Sequence, residues 1–217
     1  MIHFIQYYIE NINQICTAIS VHLYIFAIAL TIAIIVGILL SILITLEGKE
    51  RIGRIILSVT AAAQSVPSIV IIAIVFIFVG IGTRPAIIAL VIYSLVPIIF
   101  NATSGMISVP VNVIDAGKGI GYTQNEILWK IKIPMALPVI MGGIRSSATI
   151  IVGSATAAAV IGGGGLGDFI LIGLRTHSSE MLISGAVTVA FLALLIDAVI
   201  GKIEKMIIPR GLYKNNE

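Results

Sequence analysis

The chain has 217 residues, 59% of them hydrophobic and only 11% charged, with a mean hydropathy of +1.14 and a formal net charge of +3. This excludes an ordinary soluble domain and leaves an all-α integral membrane chain of several spans, each using about 20 residues to cross a roughly 30 Å hydrocarbon layer. A lone cysteine, Cys16, excludes an internal disulfide, no His/Cys cluster has metal-site spacing, and excess Lys and Arg in such a chain report orientation rather than a nucleic-acid partner.

Residues 1–22 read as an amphipathic N-terminal segment. Ile2, Ile5, Tyr8, Ile9, Ile12, Ile15 and Ile19 recur at three- and four-residue steps, with Gln6, Glu10, Asn13 and Gln14 between them. The segment lacks the basic start of a secretory signal, so it is expected to be retained. No charge falls between Leu23 and Leu46, which places span one at 23–46. Charge is absent again from Ile55 to Thr83, and span two is placed at 57–80 although Gln64, Pro67 and Ser68 interrupt it. A turn at Gly82 to Pro85 precedes span three at 86–109, which contains Pro97. Apolarity returns over 136–161, broken by Arg145, and a last span covers 181–200 with Asp197 near its end. Five spans result, in a membrane domain 23–210 followed by a tail, 211–217.

The loop after span one carries Lys49, Arg51 and Arg54, the loop after span three Lys118, Lys130 and Lys132, and the tail Lys202, Lys205, Arg210 and Lys214. The opposite side has only Arg84 and Arg175. Since cytoplasmic loops retain basic residues, the N-terminus is expected outside and the C-terminus inside.

The loop between spans three and four is more ordered than a connector. Asn112 is expected to cap a short helix with Asp115 in its first turn, and Gly117, Gly119 and Gly121 to stop it. Thr123 and Glu126 form a T-x-x-E capping box for a second helix that runs to Pro134. Asp115-Ala116-Gly117, three residues, Gly121, nine residues and Ile131-Lys132-Ile133-Pro134 resemble the cytoplasmic signature of binding-protein-dependent ABC importer permeases. That signature is written E-A-A, three residues, G, nine residues, I-x-L-P, so Asp115, Gly117 and Ile133 depart from it in identity but not in spacing. The stretches Gln64 to Ser68, Gly80 to Ala86, Met135 to Arg145 and Gly162 to Asp168 are similar to the osmoprotectant branch of the family, with a methionine-type permease fold.

The resemblance implies that Asp115, Ala116, Gly117 and Gly121 dock into a separate cytoplasmic ATPase, supported by Ile131 and Pro134. It implies that ATP and Mg are used by that partner while this chain binds no cofactor and is not an enzyme. It further implies an external substrate-binding protein, a second permease, identical or paralogous, that completes the pore, and residence in the plasma membrane. The substrate implied is glycine betaine, carnitine or choline; the alternative within the family is an amino acid such as methionine.

Gln64, Ser65 and Pro67 put polar groups inside a span and are candidates for the translocation path, with helix packing as the plainer reading. Four glycines, Gly162, Gly163, Gly164 and Gly165, followed by Gly167 and Asp168, lack the Gly-Lys-Ser/Thr of a phosphate loop. They read either as a tight re-entrant turn or as an outer gate or binding-protein contact. Arg145 and Asp197 both fall near the inner ends of their spans and are expected to form a structural ion pair. An ion-coupled secondary transporter is the rival class, but no internal repeat is visible; an intramembrane enzyme is remote because His3, His22 and His177 are not expected deep in a span.

Overall fold

A computed structural model describes residues 2–46 and 49–208, so the tail 211–217 lies outside the described residues. Among the described residues ten α-helices follow one another: α1 (Ile2–Glu10), α2 (Ile12–Ile44), α3 (Glu50–Ala63), α4 (Ser68–Val79), α5 (Thr83–Ile107), α6 (Val111–Gly119), α7 (Gln124–Ile127), α8 (Ile133–Ala158), α9 (Leu166–Arg175) and α10 (Ser179–Ile207). One π turn, Leu128–Lys132, joins α7 to α8, and a 3-10 turn, Ala159–Ile161, ends α8. A chain this apolar is helical because hydrocarbon offers backbone groups no hydrogen bonds, and a helix satisfies them within the segment.

Four helical runs are long and apolar enough to cross a membrane: Ile12–Ile44, Thr83–Ile107, Gln124–Ile161 and Ser179–Ile207. A fifth crossing exists only if α3 and α4 are taken together. The stretch expected as one continuous span over 57–80 is thus two helices. Ser65 N–H bonds Ala62 O in a tightened last turn, and Pro67, extended at ψ 139°, has no N–H to continue the ladder. The lead-in also differs in detail from a separate segment 1–22. Only Asn11 interrupts it, and from Ile12 onward it is the same helix as span one.

The chain forms two compact units. Unit one comprises residues 1–33, 66–94 and 148–198. Its core joins Ile25 and Ala29 of α2 to Leu90 of α5 and to Ile151 and Ala155 of α8. Ile72 and Val75 of α4 pack with Ala86, Ala89, Ala158 and Ile161 in a second cluster. The alanines let the backbones approach closely, which is how helices associate where burial from water gives no drive. Unit two comprises residues 34–65, 95–147 and 199–217. There Ala102 and Met106 of α5 pack on Leu128, Ala136 and Ile140, with Ile38 and Ile42 of α2 alongside.

Candidate functional site

The loop of unit two that follows α5 begins at Pro110, whose backbone at φ −59°, ψ 133° turns the chain into α6. Pro110 therefore occupies the position expected for Asn112 as cap, and it makes no side-chain cap bond. Asp115 consequently lies beyond the first turn, which contains no acid. The apolar side of α6 faces inward through buried Gly117, with Val113 and Ile114 half-buried, while Val111, Asn112, Asp115, Ala116 and Lys118 are exposed. The result is a short helix held on one side and open on the other.

Gly117 does not stop this helix but packs it. A Cβ there would lie 2.6 Å from Ile131 Cδ1, 3.7 Å from Ile127 and 3.7 Å from Tyr122. Ile131 thus lies directly against α6 within the unit. The helix ends further on: the Tyr122 N–H donates to Gly117 O and the Gly121 N–H to Lys118 O, each at 3.0 Å. This 6→1 and 5→2 pair is a Schellman closure, which needs a left-handed residue at the position of Gly121, here φ +90°. No atom lies within 4 Å of a Cβ built on Gly121, so the demand for glycine comes from the backbone and not from crowding.

The expected capping box is present. Glu126 N–H donates to Thr123 Oγ1 at 3.3 Å, and Thr123 N–H to Glu126 Oε2 at 3.0 Å. Lys130 Nζ lies 2.8 Å from Glu126 Oε1 and 4.7 Å from the centre of the Tyr122 ring, so one cation ties the turn to the second helix. This helix does not stop at Pro134. Ile133 N–H bonds Leu128 O in an i→i−5 step, and the widened turn accepts the proline, which has no N–H to give. Lys132 Nζ reaches Thr45 O, beyond the end of α2, at 3.5 Å. Trp129 and Ile120 remain 62% and 72% exposed, an unusual cost for a loop that contacts nothing.

In unit one, the four glycines lead from the 3-10 turn into α9. Gly162, Gly164 and Gly165 have φ of +76°, +84° and +79°. The Gly82 N–H donates to Ile161 O at 2.8 Å, and a Cβ on Gly165 would lie 3.2 Å from His22 N, Cα and Cβ. The turn is therefore close-packed, as the structural reading of the glycines requires. A groove of about 360 Å³ lies beside it, lined by Gln14, Thr17, Val21, Gly164, Asp168 and Phe169 among others. Burial pushes the Asp168 carboxyl above the ordinary aspartate range.

Gln64, Ser65 and Pro67 are exposed at the break between α3 and α4. Arg145 lies 3.6 Å from Glu204, a partner that sequence reasoning passed over because Glu204 sits among the lysines of the last turn of α10. Two further features were missed. His22 is fully buried, whereas it was expected near a span end, and Nε2 lies 3.2 Å from Val152 O. Along α8 the exposed positions include Gly142, Ser146, Thr149 and Gly153, where α2 and α10 expose isoleucine, leucine, valine and phenylalanine. Counting small residues, Gly, Ser and Thr, at every third or fourth position between 142 and 153 would have pointed to that face. Among the described residues no group of three or more His, Cys, Asp or Glu is arranged to hold a metal ion.

The family model described as binding-protein-dependent transport system inner membrane component matches residues 33–210. The chain is 43% identical to the glycine betaine/carnitine/choline transport system permease protein OpuCB of Bacillus subtilis, over 90% of this chain and 89% of that protein. It is 38% identical to the choline transport system permease protein OpuBB of the same organism, over 100% and 99%. Its fold is similar to a chain of the MetNI methionine ABC transporter in an inward-facing conformation, with a TM-score of 0.76 at 20% identity, covering 88% of this chain and 94% of that one.

Proposed function

Because the chain belongs to the family of binding-protein-dependent transport system inner membrane components, we propose that it is the permease through which an ATP-driven importer moves glycine betaine, carnitine or choline into the cell. The observation that carries the substrate class is identity of 43% and 38% to permeases of these compounds, maintained over 90% and 100% of this chain. Likeness to a methionine transporter at 20% identity speaks to fold alone and favours no second substrate. As a multi-pass inner-membrane subunit of such a system, the chain works with an ATPase and a binding protein and is not itself catalytic. ATP and Mg act on the ATPase; this chain needs no cofactor of its own.

In the mechanism we propose, the open side of α6, with Asp115 and Ala116, enters a groove of the ATPase. Gly117 seats the helix on Ile131, Gly121 closes it, and the π turn before Pro134 carries the following helix, α7, on into α8. Movement of the ATPase is thereby passed to the spans. Support comes from the one-sided exposure of α6 and its bracing by Thr123, Glu126 and Lys130. In this reading α6 is cytoplasmic, the N-terminus outside and the C-terminus inside, and the concentration of Lys and Arg on alternate loops supports that orientation. A second permease, identical or paralogous, completes the pore, with Gln64, Ser65 and Pro67 lining the path. The turn Gly162 to Gly165, with Gly167 and Asp168, serves as outer gate or binding-protein contact. Arg145 meets Glu204 within unit two.

The decisive experiment is uptake in cells lacking other osmoprotectant importers and supplied with this permease and its partner subunits. Accumulation of labelled glycine betaine, carnitine or choline under osmotic stress is expected. Methionine uptake without quaternary ammonium uptake would move the chain to an amino-acid importer.

A further inference from the structure

One buried polar group takes no part in the mechanism above. His22, in α2, has no exposed surface, and its Nε2 lies 3.2 Å from the carbonyl oxygen of Val152 on α8. A carbonyl only accepts, so Nε2 carries the proton and donates, which leaves Nδ1 as a bare acceptor. Nδ1 has no partner among the described residues. An unsatisfied acceptor in a buried site is unfavourable, and a leucine of similar size would avoid it. As packing alone, then, the histidine is a poor choice. What it adds is a directional bond between α2 and α8.

The residue that makes this bond also lies against the glycine turn. Gly165, at φ +79°, comes so near that a Cβ would lie 3.2 Å from three atoms of His22, and a Cβ on Gly164 would lie 3.3 Å from Val21 Cγ1. The turn is thus seated on the backbone of α2 at the very residue that makes the bond. The groove beside it takes Gln14, Thr17 and Val21 from α2 and Asp168 from α9, so rotation of α2 would reshape it.

We propose that His22 is a positioning residue: by donating to Val152 O it sets the rotation of α2 and so seats the Gly162 to Gly165 turn and shapes the groove in front of Asp168. Its consequence for transport rests on the turn being an outer gate or binding-protein contact; the placement itself does not.

The test uses the assembled importer in lipid nanodiscs, with wild-type permease, His22→Leu and His22→Gln. Glutamine places an amide N–H about where imidazole Nε2 sits, so it keeps the bond to Val152. Hydrogen exchange of residues 162–168 is expected to rise about tenfold in His22→Leu and to return towards wild type in His22→Gln, with residues 111–132 unchanged in both. If His22→Leu does not accumulate, His22→Asn, too short to reach Val152, takes its place. Unaltered exchange at 162–168 overturns the proposal. So does a rise throughout the chain, or failure of glutamine to restore protection, because His22 would then be ordinary packing. ATP hydrolysis stimulated by the binding protein, and uptake, are measured on the same samples. Faster exchange at 162–168 with wild-type transport upholds the placement and removes the gating role of the turn.

Discussion

Gly121→Leu would force a β-carbon into backbone of φ +90°, a conformation that costs an L-residue roughly 1–2 kcal/mol. Because the surrounding space is open, the strain falls on the closure of α6 and not on the spans. The variant is expected to reach the membrane in normal amount, to retain less ATPase on purification and to lose ATP-driven uptake. Gly121→Asn, which tolerates the left-handed region better, should lose less. Wild-type ATPase retention and uptake in Gly121→Leu would reduce the loop to a connector. Asp115→Lys tests the exposed side of the same helix. Since Asp115 lies past the first turn, its charge does not serve the helix end, and reversal should weaken ATPase association with little change in membrane insertion. Gly117→Ala should retain coupling. Alanine gains up to about 1 kcal/mol of helix propensity, and the atom it approaches, Ile131 Cδ1, is the end of a flexible side chain.

At the scale of elements, hydropathy and loop chemistry made most of this fold legible. The capping box at Thr123 and Glu126 was readable because its two side chains answer each other at fixed spacing. The break between α3 and α4 was not readable as a break: apolarity runs through it, and Pro67 in a span is equally compatible with a kinked helix. Pro134 misled in the opposite direction, since a π turn lets the helix pass a proline that normally stops it. The face of α8 was hidden because Gly142, Ser146, Thr149 and Gly153 are unremarkable singly and informative only through shared exposure. Hydroxyls and bare backbone are poor company for lipid tails, whereas water or another helix suits them. Cysteines at Ser146 and Thr149, in a Cys16→Ser background, are therefore expected to react with a small water-soluble maleimide faster than a cysteine at Phe191 of α10. Equal protection at all three positions would mean that this face does not line a water-filled path.

For the whole molecule, the distribution of basic residues gives a topology that reporters can check. A reporter fused after Gly48 or Lys205 should be cytoplasmic, and one after Thr83 or His177 external; consistent reversal would invert the assignment and put α6 out of reach of an ATPase. The ion pair of Arg145 and Glu204 makes a second prediction at this scale. Arg145→Ala should reduce the amount of folded permease, and Glu204→Gln in the same chain should recover part of the loss, because an unpaired charge at membrane depth costs more than a neutral pair. No recovery would mean that the arginine acts elsewhere. The substrate class was legible only through kinship: none of the four features that dominate the structure, α6, the glycine turn, the α8 face or His22, has chemistry that distinguishes choline from another small solute.

The π turn at Leu128–Lys132 also fixes a phase. It holds one residue more than an α-helical turn would over the same rise, and absorbs that surplus so that the stretches on either side keep their phase about the axis. Deletion of Trp129, whose side chain is 62% exposed, would therefore let the run from α7 into α8 close as plain α-helix with little turn of the coupling loop relative to Ala136 and Ile140. A single-residue insertion between Thr123 and Leu128, with no widened turn to absorb it, would instead rotate the loop by about 100° and misalign the side of α6 packed on Ile131. A transporter carrying the deletion should keep ATP hydrolysis in step with transport, whereas one carrying the insertion should insert and assemble its spans yet hydrolyse ATP out of step.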